Sequence, residues 1–140
     1  MTAQKHTGSC LCKTVTFEVT GEFESFFLCH CKWCRKDTGS AHAANLFSTA
    51  AQLKWLSGES EVRTFRYKST NHVKSFCPHC GSALPSIQME GALLAVPAGS
   101  LNSEVPIAPQ GHIYYAYKAG WDNDLHKIPK YSFLPDENKT

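Results

Sequence analysis

GSCLCKTVTFEVT, residues 8–20, carries two messages in one stretch. Its second half alternates: Val15, Phe17 and Val19 are apolar, and Thr14, Thr16, Glu18 and Thr20 around them are polar. A period of two is that of a strand with one face buried and one face wet. Its first half sets two thiols two positions apart. On extended backbone such side chains share a face, so the spacing predicts that Cys10 and Cys12 aim their sulfurs to the same side. A β-rich chain that carries metal ligands on its backbone is the expectation this stretch creates.

The rest of the chain reads the same way. Phe26–Phe27–Leu28 runs into Cys29, Phe65 and Tyr67 alternate in VRTFRYK, and Ile113, Tyr115 and Tyr117 alternate in GHIYYAYK. ALLAV, residues 92–96, is the continuous apolar run of a buried strand. Turn signals separate these runs at Thr20-Gly21, Ser57-Gly58, Ser69-Thr70-Asn71 and from Pro106 to Gly111. Helix is expected only at Lys32 to Gly39, which Gly39 would close, and over Thr49 to Leu53. The fold class is therefore mainly β with little helix. One domain spanning 1–140 is expected, with its core over about 8–121 and a frayed polar tail from Asp136.

Composition narrows the functions. The chain is 42% hydrophobic and 19% charged, as ordinary globular proteins are. The net charge of +2 is too small for a polyanion-binding surface, so nucleic acid is not an expected partner. MTAQKHTGS has no apolar run of a secretory signal, and the apolar stretch Ala92 to Ala98 is too short to span a bilayer. A cytoplasmic location with no membrane partner is the resulting expectation, and oligomeric state is left unspecified. In a reducing compartment, seven clustered cysteines point to metal rather than to disulfides.

The thiols fall into two sets. Cys10-Leu11-Cys12 and Cys77-Pro78-His79-Cys80 form a CxC and a CxxC from distant parts of the chain, the ordinary build of a closed four-thiolate zinc site. Gly81 supplies the permissive backbone such a knuckle needs. Cys29, Cys31 and Cys34 in CHCKWCRK supply three thiols and no fourth. Three readings stay open there: a zinc with an open position, a zinc closed by a histidine, or metal-free thiols of low pKa beside Lys32, Arg35 and Lys36. His30, between two ligands, should point to the opposite face; His42, His72, His79 or His112 could reach the site from afar.

GSCLC–TVTFEV, CHCKWCRKDTGS, FCPHCGSAL, AGSLN and HIYYAYKAGW occur in that order between Gly8 and Trp121. In them the chain resembles the glutathione-dependent formaldehyde-activating enzyme family, the group shared with centromere protein V. The resemblance implies a β-tent fold of two packed antiparallel sheets, similar to the suppressor-of-sec-four guanine-nucleotide-release factor. It implies a structural zinc on Cys10, Cys12, Cys77 and Cys80, and a second, catalytic zinc on Cys29, Cys31 and Cys34, so two Zn²⁺ per chain. Where the family usually has glycine after its first CxC, this chain has Lys13. It is also shorter than the founding enzymes.

The activity the resemblance implies is carbon–sulfur lyase chemistry on a thiol–aldehyde adduct, like that of an S-(hydroxymethyl)glutathione synthase, with glutathione as a possible substrate. Arg35 and Lys36 are candidates to receive the thiol's carboxylates. Trp33 could wall the pocket, and His112, Lys118 and Trp121 match the family's HI…K…W pattern. Two competing classes are a non-catalytic scaffold or protein-interaction module with two structural zincs, and a thiol redox or metal-buffer protein.

Overall fold

The computed structural model describes residues 4–135, so the reading of a frayed tail from Asp136 lies outside the described residues. The alternation in residues 14–20 becomes strand β2 (Thr16–Thr20), paired antiparallel with β1 (Lys5–Ser9). Val15, Phe17 and Val19 are wholly buried at the centre of the core, together with Leu46, Val96 and Leu84. The β1–β2 pairing sets Gly8 opposite Phe17. A Cβ on Gly8 would lie 2.2 Å from Phe17 Cζ and 2.6 Å from the Ser100 carbonyl oxygen, so only glycine lets the strand approach this closely.

Strand β5 (Gln52–Ser57) completes the first sheet in the order β1-β2-β5, and its Trp55 packs edge-on against Phe17 with ring centroids 6.0 Å apart. A second, five-stranded sheet contains β3 (Ser25–Cys29), β4 (Ala43–Ser48), β9 (Ser86–Gln88), β10 (Leu93–Pro97) and β11 (Gly111–Ile113), in the order β11-β3-β4-β10-β9. The apolar run read from sequence is β10, an inner strand with Leu94, Ala95 and Val96 buried. The third sheet joins β6 (Arg63–Arg66), β7 (Val73–Phe76) and β8 (Ala83–Leu84). The mainly β expectation holds. The strands divide into three hydrogen-bonded sheets, and β11 lies parallel to β3 while the other pairings are antiparallel.

Helix α1 (Lys32–Thr38) stands where it was expected. The Cys31 sulfur caps its N-terminus, and Gly39, left-handed at φ 65°, closes it by returning its N–H to the Arg35 carbonyl. The helix expected over Thr49 to Leu53 is absent. Ser48 Oγ accepts the N–H groups of Ala50 and Ala51 and so turns the chain directly from β4 into β5. The strand read through Ile113, Tyr115 and Tyr117 stops at Ile113, because Tyr114 turns left-handed (φ 52°) and a 3₁₀ turn follows over Tyr115–Tyr117. No helix among the described residues is long and apolar enough to cross a membrane.

Candidate metal centres and the adjoining cavity

The first cluster is built from two hairpin loops that face each other. Cys10 and Cys12 lie in the loop between β1 and β2, not on extended strand as their spacing suggested. The loop is a turn in which Lys13 N–H donates to the Cys10 carbonyl at 3.2 Å, with Lys13 itself left-handed at φ 66°. Cys77 and Cys80 lie in the loop between β7 and β8, where Gly81 N–H donates to the Cys77 carbonyl at 2.7 Å and Gly81 adopts φ 76°. The left-handed glycine thus sits where the knuckle required it.

The two loops bring four sulfurs together. Cys10 Sγ is 3.6 Å from Cys12 Sγ, which is 3.9 Å from Cys77 Sγ, and all four ligand atoms lie within 4.8 Å of one another. Sulfurs on a regular tetrahedron with metal–sulfur bonds of about 2.3 Å stand about 3.8 Å apart, so these residues could hold a metal ion without rearrangement. Their surroundings act on the four thiols in opposite directions. Val15 N–H donates to Cys10 Sγ at 3.3 Å, and the Ser82 hydroxyl, 3.2 Å from Cys80 Sγ, is the chief cause of a Cys80 pKa lowered to about 5. Thr14 lowers that of Cys12, while burial pushes Cys77 up to about 11.

The second cluster comes from a strand–turn–helix corner. Cys29 ends β3, Cys31 caps α1 and Cys34 lies in the first turn of that helix, its N–H donating to Cys31 Sγ at 3.3 Å. The three sulfurs also lie within 4.8 Å of one another and could hold a metal ion. Among the described residues no histidine, carboxylate or further thiol joins them. The Cys34 thiol donates toward Cys29 and, as the largest of several causes, lowers the Cys29 pKa to about 6; the same contact and burial push Cys34 strongly up.

His30 turns away from the sulfurs, as the CxC geometry required. It is fully buried, with Nε2 2.8 Å from His112 Nδ1 and Nδ1 3.3 Å from Asp122 Oδ2. His42 and Tyr115 close the cluster of rings around it, at 5.2 Å and 5.1 Å between centroids. Burial, reinforced by His42, lowers the His30 pKa. His112 thus has a structural partner, Lys118 donates to Asn123 Oδ1 at 2.8 Å, and Trp121 is largely exposed.

A cavity of about 210 Å³ opens beside the second cluster, with Cys29 and Cys34 in its wall. It lies between α1, the β4–β10–β9 face of the large sheet and the β7–β8 hairpin. Its polar lining includes Asp37, His72, Lys74, Asn45, Asn71 and Gln88. Arg35 and Lys36 do not line it; they border a separate cleft with Lys32, Gly39, Ala119 and Trp121. Helix geometry explains this. At about 100° per residue, positions one and two beyond Cys34 rotate away, whereas Asp37 and Thr38, three and four beyond it, return to the same face. Trp33 stacks beside His72 and Tyr67, at 5.8 and 5.6 Å between ring centroids, outside the cavity wall.

A crystal structure of a Rhodobacter sphaeroides protein has a similar fold, with a TM-score of 0.57 and 20% sequence identity over 76% of this chain and 98% of that one. At that identity the likeness concerns the fold alone. The model of the glutathione-dependent formaldehyde-activating enzyme family matches residues 5–117, a span that takes in all seven cysteines and both candidate metal centres. The chain therefore belongs to the glutathione-dependent formaldehyde-activating enzyme family.

Proposed function

We propose that the protein is a zinc-dependent carbon–sulfur lyase-type enzyme that forms or cleaves the adduct of glutathione, or a similar small thiol, with an aldehyde. The observation that carries this reading is a three-thiol cluster with no fourth protein donor among the described residues, set in the wall of a cavity. Cys29, Cys31 and Cys34 would hold the zinc that serves the reaction, and Cys10, Cys12, Cys77 and Cys80 a structural zinc. When bound, a zinc with an open position supplies acidification and orientation of a substrate thiol.

The chain's own residues provide the rest. Cys29 and Cys34 are buried at the sulfur-lined end of the cavity. Lys74, a lining residue of the cavity whose ammonium pairs with Asp37 at 3.7 Å, is the cation nearest to hand for a thiol carboxylate, the role first expected of Arg35 and Lys36. Asn45 and Asn71 offer amide groups to the peptide bonds of the thiol. A volume of about 210 Å³ is below the usual range for enclosing a drug-sized ligand, so the cavity would admit the cysteinyl end of glutathione with its one-carbon unit.

Cobalt substitution tests this reading, because a further thiolate ligand intensifies the sulfur-to-cobalt charge-transfer band. Glutathione should perturb the band, Cys31→Ser should abolish the response, and Lys74→Ala should weaken it more than Arg35→Ala does. Formaldehyde should then be converted faster than in the protein-free control. A cobalt spectrum unmoved by glutathione and by a panel of other thiols would overturn the proposal in favour of a scaffold with two structural metals.

A further inference from the structure

We propose that His72, oriented by Asp37, exchanges the proton of the adduct's hydroxyl group. This inference rests on the lyase reading above and adds the acid–base residue that reading lacks. His72 precedes β7, and Asp37 lies on the face of α1 that carries Cys34; both line the cavity that Cys29 and Cys34 also line. Asp37 Oδ2 accepts a hydrogen bond from His72 Nε2 at 2.5 Å, and Lys74 Nζ stands 3.7 Å from Asp37 Oδ1. Each of the three side chains is largely buried, with 15%, 23% and 21% of His72, Asp37 and Lys74 exposed.

That bond decides which nitrogen is free. With Nε2–H committed to the carboxylate, Nδ1 has no protein partner among the described residues. A carboxylate that holds one imidazole nitrogen and leaves the other to the reacting atoms is the arrangement of an acid–base histidine. Trp33 backs the ring, and Thr70 Oγ1 accepts the His72 backbone N–H at 3.1 Å, so the imidazole is held in place. The same arrangement could orient a metal-ligating histidine, but the His72 nitrogens lie outside the group of three sulfurs. The geometry assigns His72 to the oxygen of the adduct and not to the metal.

The step balances without an added reagent. In the forward direction a thiolate sulfur forms a bond to the aldehyde carbon, and the carbonyl π pair moves onto oxygen. That oxygen takes from His72 Nδ1 the proton that the neutral ring accepted when the thiol ionised, so His72 ends neutral as it began. In reverse, Nδ1 removes the hydroxyl proton, the carbonyl re-forms and the carbon–sulfur bond breaks. Asp37 is a positioning residue: it stabilises the imidazolium and fixes the ring, and Lys74 holds Asp37 in turn.

The experiment uses the metal-loaded protein, with His72→Gln and Asp37→Asn as variants. The expected result is a fall in kcat of roughly a hundredfold for His72→Gln and a smaller fall for Asp37→Asn, with KM for glutathione and the cobalt spectrum unchanged. A second readout is independent of turnover. Wild type should bind S-hydroxymethylglutathione roughly fivefold more tightly than S-methylglutathione, as one hydrogen bond to the hydroxyl allows, and His72→Gln should erase that preference. A His72→Gln protein that keeps either the wild-type kcat or the preference overturns the proposal. So does one whose cobalt spectrum changes without substrate, because His72 would then be a ligand. If wild type shows no turnover, the lyase reading fails, and the binding preference still decides the assignment of His72.

Discussion

Replacing Lys13 with glycine should stabilise the protein, and the size of the gain follows from one dihedral angle. Lys13 sits in the turn that presents Cys10 and Cys12, at φ 66°, while its N–H closes that turn on the Cys10 carbonyl. Left-handed backbone costs an L-residue about 1–2 kcal/mol. Glycine escapes that cost but gives up about 0.5–1 kcal/mol through the greater freedom of its unfolded chain. The difference predicts about 0.5–1 kcal/mol of added stability, or roughly 3 °C in Tm for a domain of this size. Lys13→Ala is the control, since it removes the same ammonium and keeps the strained backbone. The assay is thermal unfolding of wild type, Lys13→Gly and Lys13→Ala at one fixed free-zinc concentration, because metal binding shifts apparent stability by mass action. Lys13→Gly should melt highest, and Lys13→Ala should melt no higher than wild type. Equal Tm values for the glycine and alanine variants would refute the claim that backbone strain in this turn limits stability. A glycine variant that melts below wild type would show that the lysine side chain stabilises the turn by more than the strain costs.

Further expectations concern the two clusters. Cys77→Ser should yield poorly folded protein, because Cys77 is fully buried and its loss forfeits metal-linked folding energy; Cys34→Ser should leave a soluble fold that binds about one metal fewer. Thermal melts with metal analysis check this, and equal damage from the two substitutions would refute the division into structural and functional sites. With the second site stripped of metal, the thiolate absorbance that Cys29→Ser removes should titrate near pH 6. Because the folded pKa lies below the ordinary thiol value of 9.0, Cys29 ionisation contributes stability that is complete above about pH 9 and is lost as pH falls through about 6. Cys34→Ala should move that step upward, since the Cys34 thiol is the main group stabilising the Cys29 thiolate; an unmoved step would show another cause.

Sequence reasoning succeeded where the physics is local. The alternation of Val15, Phe17 and Val19 needs only a strand with one wet face, and those three are the buried side chains of β2 and its approach. Ligand spacing is equally local: a CxC or CxxC bends its own backbone, so the partition of seven cysteines into four and three matches the clusters that form. The same locality put His30 on the far side from its neighbouring thiols and stopped α1 at Gly39.

What escaped depended on single turns that no periodicity reveals, on the phase of a short helix, and on partners distant in the chain. Thr49 to Leu53 lacks any pattern that competes with β2 for its backbone, and the Ser48 hydroxyl turns it into β5. Tyr115 and Tyr117 alternate as a strand would, but the left-handed Tyr114 ends β11 before them. Arg35 and Lys36 adjoin Cys34 in sequence yet face another cleft, since neighbours on a helix point apart. His72 could be named only as one histidine among several, and Asp37 not at all. Thirty-five residues separate them, and the packing of the β7–β8 hairpin over α1 creates their hydrogen bond and the cavity it faces. Sequence determined which atoms could bind metal, because each knuckle is a property of a few consecutive residues. Tertiary structure alone decided what stands beside those sulfurs, because a cavity wall is assembled from strands and a helix that no single segment specifies.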